Sequence, residues 1–181
     1  TGTVTYSSSS AGIVGRLAGL AVQIAGLIGA QSLGGFNAIS SSGPVTITNT
    51  GTIGTGTVSG AGAFTTGGSG AAISTAGNTT VINNGTLYGG SYAAITNASN
   101  SVLTVTNRGA ISSGALGDAL ASFGSVNVLN AGTVSTGVFS AVSGIAGGTV
   151  VNAAGGTLTG GNNATFGEAV QFGTGTASFT N

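Results

Sequence analysis

The chain has no cysteine, no histidine, no lysine and no tryptophan, and among its 181 residues only Arg16, Arg108, Asp118 and Glu168 ionise strongly. Without cysteine there is no disulfide and no thiolate nucleophile. Without cysteine or histidine there is no zinc ligand set and no base for a serine nucleophile. The two acids are too few for a calcium-binding nonapeptide repeat, which needs an acid in every copy. Charged residues make up 2% of the chain, against about 25% in an ordinary soluble domain. The formal net charge is zero, so nothing draws the chain to phosphate backbones or anionic bilayers, and a nucleic-acid partner is not expected. Near-zero charge instead favours self-association. Proline occurs once while glycine occurs 37 times. That composition would suit disorder if apolar residues were sparse, but they are 40% of the chain and recur at fixed places.

What recurs is a short phrase: Asn, any residue, Gly, a small residue, then an aliphatic. It occurs as Asn49-Thr50-Gly51-Thr52-Ile53, Asn83-Asn84-Gly85-Thr86-Leu87, Asn107-Arg108-Gly109-Ala110-Ile111 and Asn130-Ala131-Gly132-Thr133-Val134. A fifth copy runs from Asn152 to Leu158 with extra small residues. Before each Asn, residues alternate apolar and polar with many β-branched side chains, as in Val45-Thr46-Ile47-Thr48 and Leu103-Thr104-Val105-Thr106. Period two predicts a half-buried strand. A further strand signal precedes each phrase: Ala72-Ile73, Ala94-Ile95, Ala119-Leu120, Ala141-Val142 and Ala169-Val170. Asp118 and Glu168 stand just before two of these and read as outward, solvated positions.

The Asn-to-Asn spacings are 34, 24, 23 and 22 residues, a period that signals stacked repeats. The strands are too short for paired hairpins. Coils laid one on another, each adding a strand to parallel sheets about 4.8 Å from the last, fit better. The expectation is an all-β, single-stranded parallel β-helix of about six coils occupying residues 1–181 as one domain. Asn49, Asn83, Asn107, Asn130 and Asn152 are expected to bond the turn backbone and stack as a ladder. Gly51, Gly85, Gly109 and Gly132 are expected to adopt a left-handed turn. Over residues 36–181 these phrases and Ala-aliphatic strands resemble the passenger repeats of bacterial autotransporter adhesins. The resemblance implies a parallel β-helix that is secreted or displayed at the cell surface.

Residues 11–34 depart from the pattern. Ile13, Leu17, Leu20, Ile24 and Leu27 step 4-3-4-3, which predicts an N-terminal helical insertion within the first coil, packed along the solenoid or capping it. Five glycines together with Arg16 and Gln23 argue against a membrane span there. Residues 55–69 read as a Gly/Ser/Thr-rich loop insertion. The last residues, Ser178-Phe179-Thr180-Asn181, reproduce the strand before the phrase and its Asn, while Thr1-Gly2-Thr3-Val4 supplies its second half. Either a longer solenoid is divided at this point, or one subunit's last coil is completed by the next subunit's first.

No catalytic, cofactor or metal residues are expected, and no enzyme. The leading expectation is a structural subunit, with further copies of itself as partner, joined head to tail into an extracellular or biofilm-matrix filament. A monomeric adhesin fragment, with host or bacterial surface glycans as partners, is the alternative. Tyr88 and Tyr92 bracket Gly89-Gly90 and either pack against the insertion or the next coil, the favoured reading, or form a sugar-stacking shelf. Thr-rich, weakly charged β-solenoids also resemble antifreeze proteins, so ice binding stands third. Thr46/Thr48 and Thr104/Thr106 would supply its paired ranks, interrupted at Ile82 and Leu129.

Overall fold

A computed structural model describes residues 3–6, 13–15, 20–30, 37–58, 64–98 and 100–181. Among these residues there are 22 strands and no helix. The first is β1 (Thr3–Tyr6). Successive windings of three strands follow. They are β2 (Ile13–Gly15), β3 (Leu20–Ile24) and β4 (Leu27–Ala30), then β5 (Ile39–Ser41), β6 (Val45–Asn49) and β7 (Thr52–Val58). A short β8 (Phe64–Thr66) interrupts the sequence before β9 (Ile73–Thr75), β10 (Thr79–Asn83) and β11 (Thr86–Tyr88). Next come β12 (Ile95–Asn97), β13 (Val102–Asn107) and β14 (Ala110–Ser112), and β15 (Leu120–Ser122), β16 (Ser125–Asn130) and β17 (Thr133–Ser135). The last are β18 (Val142–Gly144), β19 (Gly148–Asn152) and β20 (Thr157–Thr159), and β21 (Val170–Phe172) with β22 (Ala177–Thr180).

The strands form three parallel sheets. One, the Asn sheet, stacks β3, β6, β10, β13, β16, β19 and β22. The second, the phrase sheet, stacks β1, β4, β7, β11, β14, β17 and β20. The third, the Ala sheet, stacks β2, β5, β9, β12, β15, β18 and β21. Each turn therefore visits the Ala, Asn and phrase sheets in that order. This is a parallel β-solenoid with five complete turns between Ile39 and Thr159, extended by β1–β4 at one end and β21–β22 at the other.

Register explains why the repeat tolerates uneven spacing. Asn49, Asn83, Asn107, Asn130 and Asn152 are Cα partners in one unbroken column. Extra residues are expelled at corners. The 55–69 stretch leaves the phrase sheet as an antiparallel extension, with Thr57 opposite Thr65. Inward columns then coincide: Ile47, Val81, Val105, Val128 and Val150 in the Asn sheet, Ile73, Ile95, Leu120 and Val142 in the Ala sheet, Ile53, Leu87, Ile111 and Val134 in the phrase sheet. All are buried in one continuous core. The turn containing Ile95, Leu103, Val105 and Ile111 buries four such side chains almost completely, each worth about 1.5–3 kcal/mol relative to exposure.

The helix expected over residues 11–34 is replaced by strands wherever that stretch is described. Leu20-Ala21-Val22-Gln23-Ile24 also carries period two, and it lies in register on β6, with Val22 opposite Ile47. An adjacent unpaired sheet edge selects the strand reading, and three glycines at seven-residue steps disfavour the helix. Ile24-Ala25-Gly26-Leu27-Ile28 is a copy of the phrase with Ile in place of Asn. Leu17 and the rest of the 16–19 segment, like 11–12 and 31–36, lie outside the described residues.

The phrase glycines are required for a different reason from the one expected. None of Gly51, Gly85, Gly109 and Gly132 is among the positive-φ residues. Instead, a Cβ at Gly85 or Gly109 would stand 2.0 Å from the carbonyl oxygen of the phrase glycine one turn earlier, and at Gly132 2.1 Å. The column is a line of backbone approach with no room for a methyl group. Positive φ does occur in the fifth copy, at Gly155, φ 84°, where the extra residues bulge and the Gly156 carbonyl accepts from Asn152 Nδ2 at 3.0 Å. Gly109→Ala is expected to destabilise by about 1–3 kcal/mol or more, the range for forced overpacking. A urea titration would show a lower midpoint at unchanged slope; an unchanged midpoint would refute the close-approach account.

Candidate functional site

The asparagine column is a continuous side-chain hydrogen-bond chain. Asn49 Nδ2 donates to Asn83 Oδ1 at 2.8 Å, Asn83 to Asn107 at 2.8 Å, Asn107 to Asn130 at 2.8 Å and Asn130 to Asn152 at 2.8 Å. Each amide works in two directions. Asn107 Nδ2 also donates to the carbonyls of Gly109 and Thr133, each at 3.2 Å, and Asn107 Oδ1 accepts from Gly109 N–H at 3.2 Å. The Asn therefore closes its own turn and pins it to the next. Asn49, Asn83, Asn107 and Asn130 are fully buried, and no buried side-chain polar atom among the described residues lacks a partner.

The column has two unlike ends. Ile24 is the Cα partner of Asn49, so the ladder begins with an apolar side chain on its far side. At the other end Asn152 Nδ2 donates to Asn181 Oδ1 at 2.7 Å, so Asn181 is a rung of the ladder and is exposed. The strand leading to it, β22, pairs with β19 so that Phe179 stands opposite Val150. Phe179 thus occupies the inward column of the Asn sheet, yet it is 48% exposed. Leu158, Val170 and Phe172 are likewise only partly buried against the core.

The residues expected to form a joint fall at the two ends of the solenoid. Ser178, Phe179 and Thr180 form part of β22. Thr3 and Val4 lie on β1, the outermost strand of the phrase sheet, opposite Leu27 and Ile28. Through β4 they share columns with Thr52 and Ile53, which is the place the phrase assigns them. Thr1 and Gly2 lie outside the described residues. Of the expected helix seam, Ile13 is on β2, Leu20 and Ile24 are on β3 and Leu27 is on β4.

A second feature lies on the flank. A groove of about 370 Å³ runs along the outer face of the Ala sheet, lined by Asn37, Tyr92, Thr96, Asp118, Phe123 and small residues. Tyr92 is 54% and Phe123 60% exposed. Tyr88 sits on β11 in the phrase sheet, while Tyr92 and Phe123 both line the groove. Nothing local in sequence links Tyr92 to Phe123; only the register of β12 on β15 brings their turns together.

Asp118 is half-buried in this groove, not solvated as expected. Its Oδ1 accepts from Ser140 N–H at 2.8 Å. Burial raises the carboxyl above the ordinary Asp value, opposed by the Ser140 and Ser143 hydrogen bonds and reinforced by Glu168. A raised folded value means the folded state holds the proton longer than the unfolded one. The unfavourable contribution is absent below the unfolded value and grows as pH rises towards the folded value. Asp118→Asn is therefore expected to be at least as stable as the parent at neutral pH. It should also lose the part of the pH dependence that Asp118 causes in the acid range. Thermal unfolding across pH 3–7 would check this; a variant less stable than the parent at neutral pH would contradict it.

The outer face of the Asn sheet aligns Thr46, Thr80 and Thr104 in one column, with Asn127 next. The neighbouring column reads Thr48, Ile82, Thr106 and Leu129, so the ranks alternate between hydroxyl and aliphatic. No known protein family, curated protein or solved structure matches this chain.

Proposed function

We propose that the chain is a structural subunit that joins head to tail into a filament outside the cell, at the surface or in a secreted matrix. The observation that carries this reading is the unbroken register of the stack, in which each turn adds one strand to each of three parallel sheets. The turn order is Ala sheet, Asn sheet, phrase sheet. Among the described strands β21 is the last of the Ala sheet, β22 of the Asn sheet and β20 of the phrase sheet, so the turn order calls for the next strand beside β20. At the N-terminal face the outermost strands are β1 in the phrase sheet, β2 in the Ala sheet and β3 in the Asn sheet. A second copy laid on the C-terminal face would place β1 beside β20, β2 beside β21 and β3 beside β22, and the rotation would continue without a gap.

Two further observations support it. Leu158, Val170, Phe172 and Phe179, in the last described turns, are only partly buried, and a further turn stacked there would bury them. The C-terminal face also presents unpaired strand edges with no charged or proline gatekeeper on β20, β21 or β22. A head-to-tail contact that does not close generates an open fibre. Sedimentation velocity across a concentration series tests the reading. It predicts species that grow with concentration far beyond 16.7 kDa; a single 16.7 kDa species at every concentration would overturn it.

A further inference from the structure

We infer that the groove on the outer face of the Ala sheet is a binding site for a neutral pyranose chain, held between Tyr92 and Phe123 and hydrogen-bonded by Asp118. It faces sideways, so it does not depend on the filament reading.

The chemistry follows from what lines the site. Tyr92 comes from the corner that enters the Ala sheet, and Phe123 from the corner that leaves it one turn later. Between them the floor is made of small outward residues, Thr96 and Ala121. Two aromatic side chains on either side of a shallow floor offer apolar faces that a sugar ring's C–H surface can cover. Such rings are otherwise costly to leave in water, because each is more than half exposed. The volume, about 370 Å³, lies within the usual ligand range of about 300–1,000 Å³.

Polar groups select the ligand. Among the described residues the lining has one carboxylate and no cation, which disfavours phosphate, sulfate and uronate groups. Asp118 Oδ1 is engaged by Ser140 N–H. Asn37 Oδ1 is engaged by Ala71 N–H at 2.9 Å, which turns its Nδ2 donors outward from that bond. A carboxylate that accepts and an amide that donates suit the paired hydroxyls of a sugar, which need both. The carboxylate already accepts from Ser140 N–H and the Ser143 hydroxyl, and a neutral hydroxyl donor adds to these without a second charge.

The test is a nuclear magnetic resonance titration of the whole chain with cellopentaose, chitopentaose and maltopentaose in turn. Tetramethylammonium chloride serves as the cationic comparison. At least one pentasaccharide is expected to shift the amides of Tyr92, Thr96, Asp118 and Phe123 while leaving those of the Asn sheet unmoved. Tyr92→Ala and Phe123→Ala should each weaken that binding about ten-fold, the loss of one aromatic contact. Both side chains are largely exposed, so unfolding temperature should not move with them, which separates lost binding from lost fold. Three results would overturn the proposal: no shift with any of the three sugars, shifts that survive both aromatic truncations, or shifts produced by tetramethylammonium instead.

Discussion

Asn107→Ala is expected to lower the thermal midpoint by roughly 10 °C. The side chain is fully buried and is held by five hydrogen bonds, to Asn83, Asn130, Gly109 twice and Thr133. Truncation leaves the Asn83 amide donor and the Asn130 carbonyl facing an empty site. A buried polar group deprived of its partner costs about 1–3 kcal/mol. Asn83 Nδ2 keeps the Gly85 and Ala110 carbonyls and Asn130 Oδ1 keeps Gly132 N–H, so each loses one partner; with all five bonds of Asn107 gone the total is about 3–4 kcal/mol. For a chain of this size that shifts the midpoint by about 2–4 °C per kcal/mol. Asn107→Asp should be at least as damaging at neutral pH, because it supplies acceptors only and buries a charge. Arg108→Ala, one residue away on the exposed turn, should move the midpoint by no more than about 2 °C. Differential scanning calorimetry of the three variants checks this; an Asn107→Ala midpoint equal to that of Arg108→Ala would show that the ladder contributes little.

Phe179→Asp is expected to abolish assembly while leaving the subunit folded. Phe179 continues the column of Ile47, Val81, Val105, Val128 and Val150, so a second copy's turn would bury it. In the isolated chain it is 48% exposed, so replacing it costs that chain little. In the joint, Asp would place a carboxylate in an apolar column, beside Val22 of the second copy's β3, which shares the column of Ile47. Removing such a charge from water costs several kcal/mol, enough to lower the association constant by more than about a thousand-fold. Sedimentation of the variant should show a single 16.7 kDa species at all concentrations. A variant that elongates like the parent would place the joint elsewhere.

The repeat was legible because its physics is local in register. Alternating β-branched residues before each Asn mark a strand wherever they occur, and the phrase recurs often enough to align five turns. The Asn ladder follows from the same alignment, since identical residues in parallel, in-register strands must stand over one another. The turn at Ile24 was not legible, because the residue that identifies the phrase is replaced by Ile while Gly26 remains. The apolar residues around it also carry a helical spacing, and only the neighbouring β6 edge decides between the two periods. The glycine requirement was legible, but its cause was not. A left-handed turn and a close approach both demand glycine, and only the distance to the preceding turn's carbonyl separates them. The flank groove was least legible, because Tyr92, Asp118 and Phe123 meet through the stacking of β12 and β15 and share no motif.

The most direct test of the account is the axial repeat of the assembled material, measured by electron cryomicroscopy. Each sheet carries seven strands along its stack, and at about 4.8 Å per strand a seamless joint gives an axial rise of about 34 Å per subunit, with the strand spacing unbroken across the joint. Filaments with that rise are the predicted result. Isolated particles at every concentration, or filaments whose subunits meet side by side, would contradict it.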